Sequence, residues 1–415
     1  MPASFSVDQV NAFLWKKQHL APGVSGKSVS EIVEDVVGLH ATSPTTPYLS
    51  LRARMSDFQP SQLEDALYRE RSVIKVLCMR QTVHVIPVSH LAHVLAATGN
   101  RLRRSSWSEL VRLVQSAHLA PPGEEKIALA GLKGAVERHL AQAGSATAAE
   151  LADAVPDLQR RVHYAPDKPY GGVVSVGSML LPRLTASGLI VRGRTRGTWR
   201  SNLHEYALLR DWLPGGDPVS VPAEVAQPLL LRSYLAAFGP ATLEDAAWWA
   251  GWSKSETSRA VSALGVEAAS LSVDGSGSRY WALARDVPLL EATRVESSQT
   301  VRMLPSLDGY IMGYQDRRRF LAPEHARQVF DRSGNAYSTV WLDGRVVGIW
   351  REMRDSVECF LWNEDCCQQV TSEALALDQF LRRADGRDPR EDLVVHVRSC
   401  PAGLYVKTPF TPCEG

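Results

Sequence analysis

Cysteine is scarce in this chain: Cys78, Cys359, Cys366, Cys367, Cys400 and Cys413 are six among 415 residues. They form no CxxC pair, and no His-x-x-x-His spacing accompanies them, so neither a disulfide scaffold nor a zinc site is expected; reduced thiols in a cytosolic protein are. No apolar run approaches the length of a membrane span. The stretch from Met1 to Leu20 carries Trp15, Lys16, Lys17 and His19 where a signal peptide would have an unbroken apolar core. Excess charge is lacking as well: 46 Lys and Arg against 45 Asp and Glu leave +1, which argues against indiscriminate coating of nucleic acid. Three common enzyme signatures, GxxxxGK[ST], HExxH and GxSxG, do not occur. Ser72-Val-Ile-Lys75 has the SxxK spacing but no companion motifs, and it falls in a predicted strand. No metal, no cofactor and no membrane association are expected, and the expected compartment is the cytoplasm.

The apolar fraction of 45% and charged fraction of 22% are those of a globular protein, and 415 residues exceed what one core usually serves. Several modules are therefore expected. The arginines cluster. Arg192, Arg194 and Arg196 lie between Arg183 and Arg200 with no acidic residue among them; Arg101, Arg103, Arg104 and Arg112 form a second group, and Arg317, Arg318 and Arg319 a third. Guanidinium groups grip phosphates bidentately, so basic stripes on a neutral protein suit docking to a nucleic-acid duplex; the alternative for each is a solvated face.

Helix starts recur. Ser28-Val-Ser-Glu31, Ser61-Gln-Leu-Glu64, Thr147-Ala-Ala-Glu150 and Ser253-Lys-Ser-Glu256 match the capping box, and Thr242-Leu-Glu-Asp245 is a weaker version. Two of these open a longer plan. A helix from Thr147 leads to a second near Ser175–Ser187, stopped by Gly188, then a strand Leu189–Arg192, a turn through Gly193–Gly197 and a return strand Thr198–Leu209. The other runs from Thr242 to a helix near Lys254–Leu264, stopped by Gly265, then Val266–Val273, a turn and Ser278–Leu283. Helix, turn, helix and hairpin make a winged helix, whose second helix enters a DNA groove while the hairpin touches the backbone. A looser copy at the start has helices Val7–Gln18, Val29–Leu39 and Gln62–Arg71 before strands Val73–Cys78 and Thr82–Ile86. The same module also serves purely architectural roles.

After Val301 strand-like runs dominate: Val301–Leu304, Tyr310–Gly313, Ser338–Leu342, Val346–Arg351, Ser356–Trp362 and Leu393–Val397, with a helix near Glu373–Arg383. They read as a small barrel or sandwich. The expected fold class is α+β, with three tandem winged helices at 1–120, 121–215 and 216–298 and a C-terminal β-barrel at 299–415.

Gly38-Leu-His-Ala-Thr-Ser-Pro-Thr-Thr-Pro-Tyr-Leu-Ser-Leu-Arg-Ala-Arg54 stands out, because His40 and Thr42 flank a small residue where the helix must stop before Pro44. Taken with Met79-Arg-Gln-Thr-Val-His84, Leu304-Pro-Ser-Leu-Asp-Gly-Tyr-Ile-Met-Gly-Tyr-Gln-Asp-Arg317 and Thr339-Val-Trp-Leu-Asp-Gly-Arg-Val-Val-Gly-Ile-Trp-Arg351, the chain resembles the AlkZ/YcaQ-like winged-helix DNA glycosylases over nearly its whole length. The resemblance implies a concave monomer on double-stranded DNA carrying alkylated guanine, hydrolysing the N-glycosidic bond of damaged purines. It places the catalytic pair of a Gln-x-Gln or Gln-x-Asp motif at His40-Ala41-Thr42, where the spacing is kept and both identities differ. Members of the family protect bacteria that make DNA-alkylating antibiotics, so the altered pair suggests a bulky N7-guanine adduct as substrate.

The chemistry allows the exchange. N7-alkylguanine already carries positive charge and leaves readily; what remains is to orient water at C1′ and stabilise an oxocarbenium-like transition state. His40 would hold that water through a ring nitrogen and take its proton, and Thr42 would be a second water ligand. The bland alternatives are a histidine capping helix carbonyls and an ordinary turn hydroxyl. Arg54, Arg80, Arg192, Arg194, Arg196, Lys254, Arg259 and Arg317 are the expected DNA contacts, with His84, Asp308 and Asp316 as support for the site. The rival class is a non-catalytic DNA-binding regulator or lesion sensor.

Overall fold

The computed structural model describes residues 3–23, 26–164, 172–216, 218–354, 356–388 and 394–399. The fold is mixed α and β, and the chain divides into two compact units. One contains Met1–His40, Thr45–Gln62 and Leu231–Gly415; the other contains Ala41–Pro44 and Leu63–Leu230. Among the described residues, no helix is long and apolar enough to cross a membrane.

In the second unit the helical segment Asp65–Arg69 leads to an antiparallel hairpin, Val73–Leu77 against Val83–Pro87. Two long helices follow, Leu91–Ser116 and Glu125–Ala143. Neither has a side-chain cap at its start, so the capping signal that marks shorter helices is missing for both. Thr147 and Glu150 do form the expected box at the helix Ala148–Ala154. The helix Val176–Ala186, capped by Ser175, comes next, and Ile190–Thr195 and His204–Leu208 form the hairpin. Ser145–Thr147 joins His204–Leu208 to complete a three-stranded sheet. Leu132, Val136, Leu151, Leu180 and Leu184 belong to one buried cluster, so the apolar stripes of successive helices share a core with the sheet.

In the first unit, Ser6 caps the helix Val7–Lys17 and Ser28 with Glu31 makes a full capping box on Val29–Asp35. Boxes at Thr242/Asp245 and Ser253/Glu256 start Leu243–Ala250 and Lys254–Leu264, and the hairpin Ala268–Val273 with Arg279–Leu283 follows. Ser4–Phe5 adds to that hairpin as a parallel edge strand.

Four expectations need correction. Ser61 and Glu64 do not form a capping box: the helix begins earlier, at Pro60, whose ring presets a first-turn φ, and Gln62 reaches back to the Gln59 amide at 2.8 Å. Tyr310–Gly313 is not a strand, because Asp308 accepts a hydrogen bond from the Tyr310 amide and starts a helical turn, Gly309–Met312. The helix before His40 ends at Asp35, well short of Leu39, since Val37 and Gly38 both take positive φ. Finally, the C-terminal sheet is open among the described residues. Its order is 301–304, 339–342, 345–352, 356–361, 394–399, and the outer strands do not pair. The helix Cys367–Ala384 carries the chain across to make the last pair parallel, and it packs on the sheet as the second layer that closure would otherwise supply.

Candidate active site and nucleic-acid interface

Val37 and Gly38, at φ 56° and 96°, turn the chain out of its helix and into the short extended segment Leu39–His40. His40 is 4% exposed. The next residue, Ala41, donates its amide to the Val83 carbonyl at 2.7 Å, and Thr42 is exposed. The motif therefore combines a buried imidazole with a solvent-facing hydroxyl.

The helix Thr46–Arg52, with Pro47 in its first turn, starts soon after. Its Thr46 hydroxyl donates to the Ser306 carbonyl at 3.0 Å, and Ser50 donates to Asp308 at 2.6 Å. Arg54 then meets Asp308 in a two-pronged ion pair and also donates to the Ser50 carbonyl at 3.0 Å. Arg54 is 3% exposed and Asp308 fully buried. This corrects the expectation of Arg54 as a DNA contact: its charge is neutralised inside the protein. Burial alone would raise the Asp308 carboxyl, but the Arg54 charge and hydrogen bonds from Arg54, Ser50 and the Tyr310 amide hold it below the usual carboxylate range. Asp308 thus supports the helix that follows the motif. Ser50 was missed from sequence; its i,i+4 spacing to Arg54 was the available signal. Asp316 is more peripheral, binding the Arg318 guanidinium with contacts of 3.0 and 2.6 Å.

Arg80 sits at φ 50° in the turn Met79–Gln81, and Gln81 follows at φ 62°. Two successive side-chain-bearing residues in the left-handed region are strained, a condition that gathers at functional sites. His84 is buried on the adjoining strand, its Nδ1 donating to the Thr82 carbonyl at 3.2 Å. Burial, with the Arg80 charge adding to it against that hydrogen bond, pushes the imidazole down to about 4, so His84 is neutral at physiological pH.

The hairpin arginines fall into different roles. Arg196 contacts Glu205 at 2.8 Å and Glu150 at 3.3 Å, so the fold supplies acids that the local sequence lacks. The other oxygen of Glu150 accepts the Thr147 amide at 2.7 Å in the capping box. Arg194 is exposed, its guanidinium 5.2 Å from the Tyr68 ring centroid. Arg192 is half-buried and its charge adds to the burial that pushes His204 down to about 4. The side chains of Arg101, Arg103 and Arg104 lie outside the described residues.

Lys254 and Arg259 are exposed on Lys254–Leu264, but five residues of helix turn them roughly 140° apart. They do not form one basic stripe. Arg317 is half-buried between aromatic rings, 4.9 Å from the Trp248 centroid and 4.2 Å from that of Phe330, and its Nε donates to the Ile311 carbonyl. These ring contacts hold the Arg317 guanidinium in place.

A family model described as DNA glycosylase AlkZ-like matches residues 33–380, and the chain belongs to that family. It is an enzyme of the DNA glycosylase class. The chain is 26% identical over 355 residues to the interstrand DNA cross-link repair glycosylase of Streptomyces sahachiroi, covering 82% of this chain and 86% of that relative. The solved structure of Streptomyces sahachiroi DNA glycosylase AlkZ superimposes with a TM-score of 0.72 at 22% identity, over 95% of this chain and 100% of that one, which establishes the likeness of fold.

Proposed function

We propose that this protein is a monofunctional glycosylase that hydrolyses the N-glycosidic bond of alkylated purines, with bulky N7-guanine adducts of a genotoxic natural product as its preferred substrate. The reading rests on the family match across residues 33–380, a span that includes His40-Ala41-Thr42 with its two polar side chains at the spacing the motif needs. His40 orients a water at C1′ and takes its proton; Thr42 is the second water ligand. The cationic leaving base needs no strong acid. The helix–helix–hairpin elements act as winged helices on the duplex, with Arg80, Arg192, Arg194, Lys254 and Arg259 at the phosphates.

Lesion size argues for the bulky substrate. Flipping an ordinary nucleotide costs a few kcal/mol, and removing a large intercalated group from the stack costs more. An enzyme that acts on a stacked lesion avoids that cost, provided water reaches C1′. The named activity of the relative makes duplex with an interstrand cross-link a further substrate to test.

The test incubates the protein with duplex carrying a bulky N7-guanine adduct, a cross-link or 7-methylguanine, then cleaves abasic sites with mild alkali. Alkali-labile sites should appear fastest with the bulky adduct. His40→Ala should bind adduct DNA normally and lose most excision, and wild-type excision should fall in acid as the imidazole protonates. Excision by His40→Ala at the parent rate sinks the site, and equal release of 7-methylguanine sinks the preference. Binding without abasic sites makes the protein a sensor.

A further inference from the structure

The first unit contains a cavity of about 380 Å³. That is within the range of roughly 300–1,000 Å³ typical of small-molecule sites. Its charged wall has Arg52, Arg302 and Arg383; its apolar wall includes Phe58 and Phe380, stacked with ring centroids 6.2 Å apart. Glu373, Phe380 and Arg383 come from the helix Cys367–Ala384, at spacings that align on one face. Arg54 also lines the cavity but is neutralised by Asp308, which leaves three arginines against the carboxylates of Asp57 and Glu373.

Arg383 is exposed to water, whereas Arg302 is half-buried and poorly satisfied. Its Nη1 reaches only the Val301 carbonyl, at 3.2 Å, and its Nε is buried with no partner among the described residues. Glu373 is already ion-paired with Arg52. Burial lowers the affinity of Arg302 for its proton, the nearby Glu373 works against that, and Arg52 adds to it. A guanidinium in that position gains from an anion offering acceptor oxygens. The paired phenyl rings give the cavity an apolar wall against which a flat group packs.

We propose that this cavity binds a nucleotide unit, its phosphate on Arg52, Arg302 and Arg383 and its base against Phe58 and Phe380. The unit comes either from a free mononucleotide or from a DNA strand. Binding here does not depend on bond cleavage, so the proposal stands apart from the glycosylase mechanism.

Calorimetric titration of the full chain at low salt tests it, with deoxyguanosine monophosphate, deoxyguanosine, inorganic phosphate and a short single-stranded oligonucleotide as probes. The monophosphate should saturate one site, about tenfold tighter than deoxyguanosine or phosphate alone, as loss of a charge-assisted contact predicts. Arg302→Gln and the exposed Arg383→Gln should each weaken it by about tenfold, the second without disturbing the fold. If the Arg383-dependent part of oligonucleotide binding is tighter than monophosphate binding, the ligand is a strand; if weaker, a free nucleotide. No saturable monophosphate binding, equal affinity for deoxyguanosine or phosphate, or an Arg383→Gln variant that binds like the parent overturns the proposal.

Discussion

Arg54 and Asp308 meet through Nη1 to Oδ2 and Nη2 to Oδ1, each 2.8 Å long, with both side chains almost entirely out of water. The pair joins the helix just after the His40 segment to the turn after the first strand of the C-terminal sheet. Asp308→Asn leaves a buried guanidinium without its counter-charge and should cost about 3–5 kcal/mol, while a joint replacement by Met and Leu should recover most of that. Urea unfolding measures both. A loss below about 1 kcal/mol for Asp308→Asn would show that water reaches the site. Because the folded carboxyl titrates below its unfolded value, the stabilisation is full above the unfolded pKa and disappears as pH falls towards the folded one.

His84 gives a second pH dependence in a milder range. Its imidazole titrates at about 4 when folded. The unfolded ring titrates near 6.5, so between those values the unfolded chain binds the extra proton and stability falls with falling pH. Between pH 7.5 and 5 the parent should lose about 2 kcal/mol more than His84→Leu. His204 contributes to both proteins and cancels. Parallel unfolding curves for the two would show His84 already solvated.

Salt dependence should separate the hairpin arginines. Arg194 is exposed, and Arg194→Ala should shallow the log–log salt slope of DNA binding by about 0.9, the value for one phosphate contact. Arg196 is held by two carboxylates, and Arg196→Ala should change the slope much less. Equal changes would mean that Arg196 leaves its acids on binding.

Borohydride should trap no covalent protein–DNA adduct. A lyase needs an amine to form a Schiff base, and no lysine lies between Lys27 and Lys75, the stretch that contains His40. A trapped adduct would place the reactive amine elsewhere in the chain.

Local hydrogen-bond patterns were the most readable part of the sequence. Ser28, Thr147, Thr242 and Ser253 start helices where the hydroxyl–carboxylate spacing predicts, because each cap needs only neighbours in sequence. The two long helices lack such caps and take their stability from packing. Asp308 turned an apolar run into a helical turn through one side chain, which hydropathy does not register. At the candidate site, the partners of the arginines were not legible. Asp308 reaches Arg54, and Glu205 reaches Arg196, only after folding.

Glu150 carries two duties on separate oxygens, one holding the Thr147 amide at the start of its helix and the other facing Arg196. Rupture of the Arg196 contact therefore leaves the Thr147 amide held, because the oxygen that faces the hairpin is not the one that caps the helix. The hairpin can consequently shift its basic side chain without loosening the helix start beneath it.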